Sequence, residues 1–424
     1  MAPLGKGGSV RITYLTSARL PTEKAYGFAI AKQCEALALL GHKVALVFPR
    51  LAPRQAKAMC CEECPDLHSY FGVRPLFQTR CLRILGAMDR LWSEESRVWP
   101  LAKSVAFSVS ARTFMPSHPA REPGHLVWTR DLLTAIVLLG DPGAIRYRVV
   151  FEAHNVPGRS MRPLLRILNR SQVVVATTDG IEHELIRLGV AKRRILVARS
   201  GVDLDMFNIV ESKSQCRARL GLPLDRPIVG YVGKFRTFER EKGIPELIAA
   251  MRYMTQAVRP TPLLLCVGGP LDRVDEYYQV ARANGVDTGA IRFEDFRPRQ
   301  EVPYWLKACD VCAIPLPEDE GFFSRYTSPM KAFESMAVGT PIVASSVESM
   351  KEIVEDGVSG ILVPPGNSVA LGRALARLIL VPGLASRLSA NASRNVSEYT
   401  WTNRAVRILD FVRSGSVSHE AGLT

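Results

Sequence analysis

Ser328-Pro-Met-Lys-Ala-Phe-Glu-Ser-Met-Ala-Val-Gly-Thr-Pro-Ile-Val-Ala-Ser345 is the stretch whose reading decides the fold. It divides into a loop, a short helix with Pro329 at its opening turn, a stop at Gly339 and a buried strand beginning near Ile342. Helix followed at once by strand is the beat of an α/β chain. Outward from it, Ile228-Val-Gly-Tyr-Val-Gly233 predicts a strand, and Ile244, Leu247, Ile248 and Met251 mark one face of the next helix, with Pro245 tolerated in its first turn. Further strands are predicted at Leu263–Val267, Ile291–Phe293 and Val311–Ile314.

The same beat occupies the first half of the chain. Val10–Leu15 alternates as a strand, Ile30, Ala31, Cys34, Leu37 and Ala38 share a helix face, Gly41 stops that helix, and Val44–Phe48 is the next strand. Strands at Leu126–Thr129, Val149–Glu152, Val173–Thr177 and Ile195–Ala198 complete the series, and the polar stretch Asp205–Arg226 separates the halves. Two Rossmann-like α/β domains are therefore expected, 8–204 and 205–399, facing across a cleft with their strand carboxyl ends, where such sheets bind ligands. A helix over 400–413 is expected to pack back on the first domain, with 414–424 a flexible tail.

Composition narrows the class. The 424 residues are 47% hydrophobic and 23% charged, as in folded soluble domains. No run is long and apolar enough to span a bilayer, and Met1–Ser9 lacks the apolar core of a signal peptide, so a cytoplasmic location is expected. A net charge of +14 comes without a dense basic tract or interleaved aromatics, which argues against nucleic acid. Arg159, Arg162, Arg166 and Arg170, among Met161, Leu164, Leu165, Ile167 and Leu168, suggest an amphipathic basic helix that could meet the inner face of an anionic membrane; a solvated helix packed on its own sheet is the other reading. The nine cysteines form no disulfide framework, and the pairs Cys61–Cys64 and Cys309–Cys312 read as ordinary thiols rather than zinc ligands.

Four places carry chemistry. Free N–H groups at the start of the 329–338 helix suit a diphosphate. Lys331 and Glu334 share a face there, as an anion ligand and a ribose acceptor or simply as an i,i+3 ion pair. Gly233-Lys-Phe-Arg-Thr-Phe-Glu-Arg-Glu-Lys-Gly243 places cations at a strand end, able to neutralise a leaving diphosphate without a metal. Phe151-Glu-Ala-His-Asn155 places His154 at another strand end, and Gly27, flanked by Lys24 and Tyr26, lies in the first strand-to-helix loop, where backbone N–H groups can approach phosphate. Asp203-Leu-Asp205 mimics a metal-binding pair, but follows Ser200-Gly201 at the interdomain crossing.

The Ser328–Ser345 block, followed by Glu352-Ile-Val-Glu-Asp-Gly-Val-Ser-Gly-Ile-Leu-Val-Pro364, resembles the C-terminal half of family 4 (group 1) retaining glycosyltransferases of the GT-B fold. The resemblance implies transfer of a hexose-type sugar from a UDP- or GDP-sugar to a glycan, lipid-linked or small-molecule hydroxyl, with no metal and no cofactor. It implies that Glu334 grips the donor ribose, that Lys242 with Lys234 or Arg236 meets the diphosphate beside Lys331 and Gly27, and that His154 lies near the reacting sugar. The family's second Glu, eight positions before Glu334, is Tyr326 here, with Glu320 a displaced candidate for the same sugar contact. A phosphorylase or epimerase of the same fold, and a non-catalytic binding protein, are the alternatives; no Gly-x-Gly-x-x-Gly follows the first strand to suggest a dehydrogenase.

Overall fold

The computed structural model describes residues 8–50, 66–84, 99–115, 125–140, 148–237, 240–317, 325–326 and 328–420. The chain forms two compact units, residues 1–199 with 401–424, and residues 200–400.

The first unit holds a seven-stranded sheet of β1 (Arg11–Leu15), β2 (Lys43–Pro49), β3 (Gln78–Leu82), β4 (Leu126–Thr129), β5 (Arg148–Ala153), β6 (Val173–Ala176) and β7 (Ile195–Val197), ordered β3-β2-β1-β4-β5-β6-β7. Every pairing is parallel. Helices cover both faces of such a sheet, which is why β4 and β6 are apolar runs buried at every position. Their side chains and those of Ile12, Tyr14 and Leu46 make the core. Strand order reverses between β1 and β4, a position at which doubly wound sheets bind ligands. Gln78-Thr-Arg-Cys-Leu82 gave no strand signal in the sequence because β3 is an edge strand with mostly open faces.

Two expectations for this unit need correction. The 159–170 segment is no continuous amphipathic helix: Arg159–Met161 and Arg166–Arg170 are 3-10 turns on either side of the four-residue helix Arg162–Leu165. Pro163 removes a helical donor, while Leu165 and Leu168 are buried in the unit's own core and Arg170 donates to the Leu139 carbonyl at 3.2 Å. The final helix runs Trp401–Glu420, so residues 414–420, read as tail, continue it.

In the second unit, β8 (Ile228–Val232), β11 (Leu263–Val267), β12 (Ile291–Glu294), β13 (Val311–Ile314), β14 (Ile342–Ser345) and β15 (Ile361–Val363) form a parallel sheet ordered β12-β11-β8-β13-β14-β15. Between β8 and the helix Ile244–Ala257, a small antiparallel hairpin of β9 (Arg236–Thr237) and β10 (Arg240–Glu241) is inserted; the sequence showed only a long loop. The chain's two passages at the edge of this unit run side by side, Val202 donating to the Tyr399 carbonyl at 2.8 Å. Cys309 and Cys312 are buried thiols of the core, Cys309 donating to the Trp305 carbonyl, and its sulfur occupies the space beside Gly230. Cys61 and Cys64 lie outside the described residues.

The order reverses here between β8 and β13, and Gly243 marks the spot. It caps the Ile244–Ala257 helix at φ +86°, and a Cβ on it would lie 1.7 Å from the carbonyl oxygen of Pro315, just after β13. Left-handed backbone and a backbone clash add, so Gly243→Ala should cost about 2–5 kcal/mol. Urea denaturation followed in the 200–400 unit checks this; a loss under about 0.5 kcal/mol refutes the close approach.

Candidate active site

The carboxyl ends of β8, β11 and β12 come together through glycines. Gly233 (φ +140°) donates to Val267 at 2.7 Å, Phe235 donates to Gly269 at 2.8 Å, and Gly268 donates to Glu294 at 2.9 Å. A Cβ on Gly268 would press on the Gly233 backbone at 2.7 Å. A Cβ on Gly233 would meet Cε of Lys331 at 2.4 Å, so the missing side chain is the channel through which Lys331 reaches the strand ends.

Lys331 arrives there because the Met330–Ala337 helix opens at Pro329 with no side-chain cap and buries Ala332, Phe333, Glu334, Ser335 and Met336. Its Nζ sits 3.7 Å above the Tyr231 ring, buried, with no hydrogen-bond partner among the described residues. A ring face steadies a cation but supplies no acceptor. Burial, then the charge of Lys242, hold the Lys331 ammonium well below the ordinary lysine range, against the pull of Glu334.

Lys242 stands at the foot of the hairpin, its N–H closing on the Phe235 carbonyl at 2.9 Å. Burial and neighbouring Lys234 lower its pKa to about 8. Arg236, the alternative to Lys234 at the diphosphate, is buried and gives its guanidinium to both oxygens of Asp272 at 2.6 Å. On the other hairpin strand, Tyr277 donates to Glu241 at 2.9 Å. Arg236 thus braces the hairpin, and Lys234 and Lys242 flank it.

Glu334 is buried, and the i,i+3 pair with Lys331 does not account for its environment. Its Oε1 instead takes the guanidinium of Arg299, whose Cζ lies 5.5 Å from the centroid of the Phe207 ring. Sequence reasoning missed Arg299; the available signal was a cation in the loop following a predicted strand. Tyr326 is half-buried. Glu320 lies outside the described residues. Asp203 caps the short Leu204–Phe207 helix by accepting from the Met206 N–H at 3.2 Å.

In the first unit, β5 runs into Glu152 and His154. His154 Nε2 is 3.1 Å from Glu152 Oε2, while Glu152 Oε1 accepts from Trp128 Nε1 at 2.9 Å and from Arg404 at 2.8 Å. Burial, then Arg130, hold His154 at about 4, against the pull of Glu152, so it is neutral at pH 7. The expectation for Gly27 is corrected. It lies inside the Ala25–Leu39 helix rather than a loop, its N–H donates to the Lys24 carbonyl at 3.0 Å, and a Cβ there would strike Thr22 at 2.5 Å and Phe71 at 2.9 Å. Its smallness serves packing and leaves that N–H engaged.

Residues 226–380 match the family model described as glycosyl transferases group 1. This segment is similar to the domains that model describes. The chain is 32% identical over 268 residues to a D-inositol 3-phosphate glycosyltransferase of Streptosporangium roseum and 31% identical over 264 residues to one of Thermobispora bispora, covering 61% and 60% of this chain. It spans about three fifths of those relatives' length, 59% and 60%. Among solved structures, sucrose-phosphate synthase from Thermosynechococcus elongatus superposes with a TM-score of 0.73 at 21% identity, covering 96% of this chain and all of that one. Anabaena HepE in complex with UDP and glucose gives 0.69 at 18% identity, with the same coverage. The fold is GT-B: two parallel-sheet, Rossmann-like domains. The matched domain contains Gly233, Lys242, Arg299, Lys331 and Glu334.

The lysine pair sets the sign of a pH dependence. Because burial lowers Lys242 to about 8 from 10.5, the unfolded chain binds its proton more tightly, and this group makes stability rise from pH 8 to 10.5. Anion binding runs the other way, since it needs the charged form. Sulfate, a dianion throughout, should bind about tenfold more weakly at pH 9.5 than at pH 7.5, with a shallower slope in Lys242→Arg. Calorimetry across that range checks it; a flat profile in the parent protein contradicts a titrating lysine at the site.

Proposed function

We propose that this chain is a retaining family 4 glycosyltransferase that moves a hexose-type sugar from a UDP- or GDP-sugar to the hydroxyl of a glycan, lipid-linked or small-molecule acceptor, without a metal. The observation that carries the reading is the buried Lys331 ammonium, which has no acceptor among the described residues, beside Lys242 and an uncapped helix start. Buried charge without a partner is costly, and an entering diphosphate relieves that cost. The inositol-phosphate glycosyltransferase relatives and the UDP-bound HepE fold support a nucleotide-sugar donor.

In this reading the diphosphate lies against the start of the Met330–Ala337 helix, with Lys331, Lys242 and Lys234 taking its charge. Glu334, held at one oxygen by Arg299, offers the other to a ribose hydroxyl. The bond between the sugar's anomeric carbon and the diphosphate oxygen breaks as the acceptor oxygen bonds to that carbon from the same face. The acceptor's proton passes to the departing diphosphate oxygen, and the cations stabilise the charge that develops there. His154 binds a sugar hydroxyl. Tyr326 brings one hydroxyl in place of a carboxylate, so it can make fewer contacts to the sugar than the family's Glu. A net charge of +14 and the exposed Arg162, Arg166 and Arg170 support work at an anionic membrane surface.

Glu334→Gln should weaken UDP or GDP binding by about tenfold or more while the protein stays folded, since a charged hydrogen bond is worth about 1.5–3 kcal/mol. Unchanged affinity by calorimetry overturns the ribose assignment. Because lysines and a helix start carry the diphosphate, release of UDP or GDP from donor sugar should persist in EDTA; complete loss that Mg²⁺ restores contradicts this mechanism.

A further inference from the structure

The last helix of the chain places a buried arginine beside the β5 strand end, far from its own neighbours in sequence. Arg404 projects from Trp401–Glu420 into the core of the first unit, where its Nε donates to the Arg199 carbonyl at 3.0 Å. Its Nη1 bonds Gln33 Oε1 and, at 2.8 Å, Glu152 Oε1. Trp128 Nε1 donates to the same Glu152 oxygen at 2.9 Å. With Oε1 occupied by two donors, Oε2 is directed to His154 Nε2 at 3.1 Å.

The hydrogen positions follow from chemistry. Burial alone would favour a protonated Glu152, but Arg404 and His154 overcome it and hold the carboxyl well below its usual range. An ionised carboxylate only accepts, so the shared hydrogen belongs to Nε2. Arg130 opposes a second proton on the ring. A neutral imidazole has one N–H, which leaves Nδ1 bare. A bare nitrogen accepts from a hydroxyl and is repelled by a phosphate oxygen. His154 is therefore equipped to bind a sugar or acceptor hydroxyl rather than the diphosphate.

We propose that Arg404 is a positioning residue, which through Glu152 keeps the His154 proton on Nε2 and presents Nδ1 as an acceptor to a substrate hydroxyl. The proposal rests on the reading of His154 as a substrate-binding residue. It makes the returning C-terminal helix part of the functional apparatus as well as of the core.

The full-length protein with ¹⁵N-labelled histidine tests it. Long-range ¹H–¹⁵N correlation at pH 7, with the ring assigned through His154→Gln, should show the Nε2–H tautomer in the parent protein. Arg404→Met and Glu152→Gln should convert it to a tautomer mixture, and Arg404→Lys should restore most of the original pattern. Should Arg404→Met not fold, Trp128→Phe, which removes the other donor to Oε1, and Arg404→Lys carry the comparison. For whichever of UDP-glucose, UDP-N-acetylglucosamine and GDP-mannose is hydrolysed, kcat should fall about tenfold in Arg404→Met while the donor KM stays within about twofold. An unchanged Nε2–H pattern in both Arg404→Met and Glu152→Gln overturns the positioning role, even if His154→Ala is impaired. A shifted tautomer with full turnover in His154→Ala overturns the reading of His154 beneath it.

Discussion

The C-terminal unit is organised around a buried ammonium to which no described side chain gives a hydrogen-bond acceptor. Lys331 reaches the end of β8 only because Gly233 has no side chain, and Gly233 holds its backbone only because Gly268 lets the next strand end lie against it. Placing a lysine there has a desolvation cost of several kcal/mol unless something anionic enters. The surrounding fold must supply that stabilisation from elsewhere. It does so through β8, β11 and β14, which are buried at every position, and through a helix whose apolar face is locked into the sheet.

Much of this was legible in the sequence, because strands buried on both faces are apolar runs and parallel strands require intervening helices. What was missed has physical reasons. β3 carries Gln78, Thr79 and Arg80 because an edge strand needs no apolar face, so hydrophobic pattern cannot find it. The hairpin was hidden for a different cause: Arg236 and Glu241 look like surface charges until Asp272 and Tyr277, from a later helix and its approach, reveal their partners. Gly27 was misread because a packing glycine and a phosphate-loop glycine are identical in sequence; only the proximity of Phe71 separates them. The arginine-rich segment looked amphipathic on a helical wheel, but Pro163 and two 3-10 turns break the wheel's premise.

The sequence singled out Lys331, Glu334, Lys242 and His154 as candidates but not what holds them. Arg299 and Arg404 lie 35 and 252 positions from the carboxylates they serve, and no local pattern links such distances. Nor was their division of labour visible. Arg236 and Lys242 look interchangeable as strand-end cations, yet Arg236 is bound bidentately by Asp272 whereas Lys242 has its pKa depressed by burial. A guanidinium is suited to a fixed two-point brace, and an ammonium to a ligand that comes and goes.

The two strand-end clusters treat charge in opposite ways, and the contrast bears on what each can bind. Around Lys331 and Lys242, burial and then a neighbouring cation (Lys242 for Lys331, Lys234 for Lys242) lower both pKa values, so the region favours an anion of more than one charge. Around His154, the charges of Glu152 and Arg404 cancel in a pair with hydrogen bonds on both carboxylate oxygens, and their half-buried partner is a neutral ring. A neutral acceptor backed by a compensated ion pair discriminates by hydrogen-bond geometry rather than by charge. The nucleotide-sugar donor proposed above has both characters, a diphosphate at one end and uncharged hydroxyls at the other. Reversing the assignments would place a bare nitrogen lone pair against phosphate oxygens and buried ammonium groups against hydroxyls that cannot offset their desolvation. The electrostatics of each unit, taken separately, therefore favour a multiply charged anion at Lys331 and neutral hydroxyls at His154.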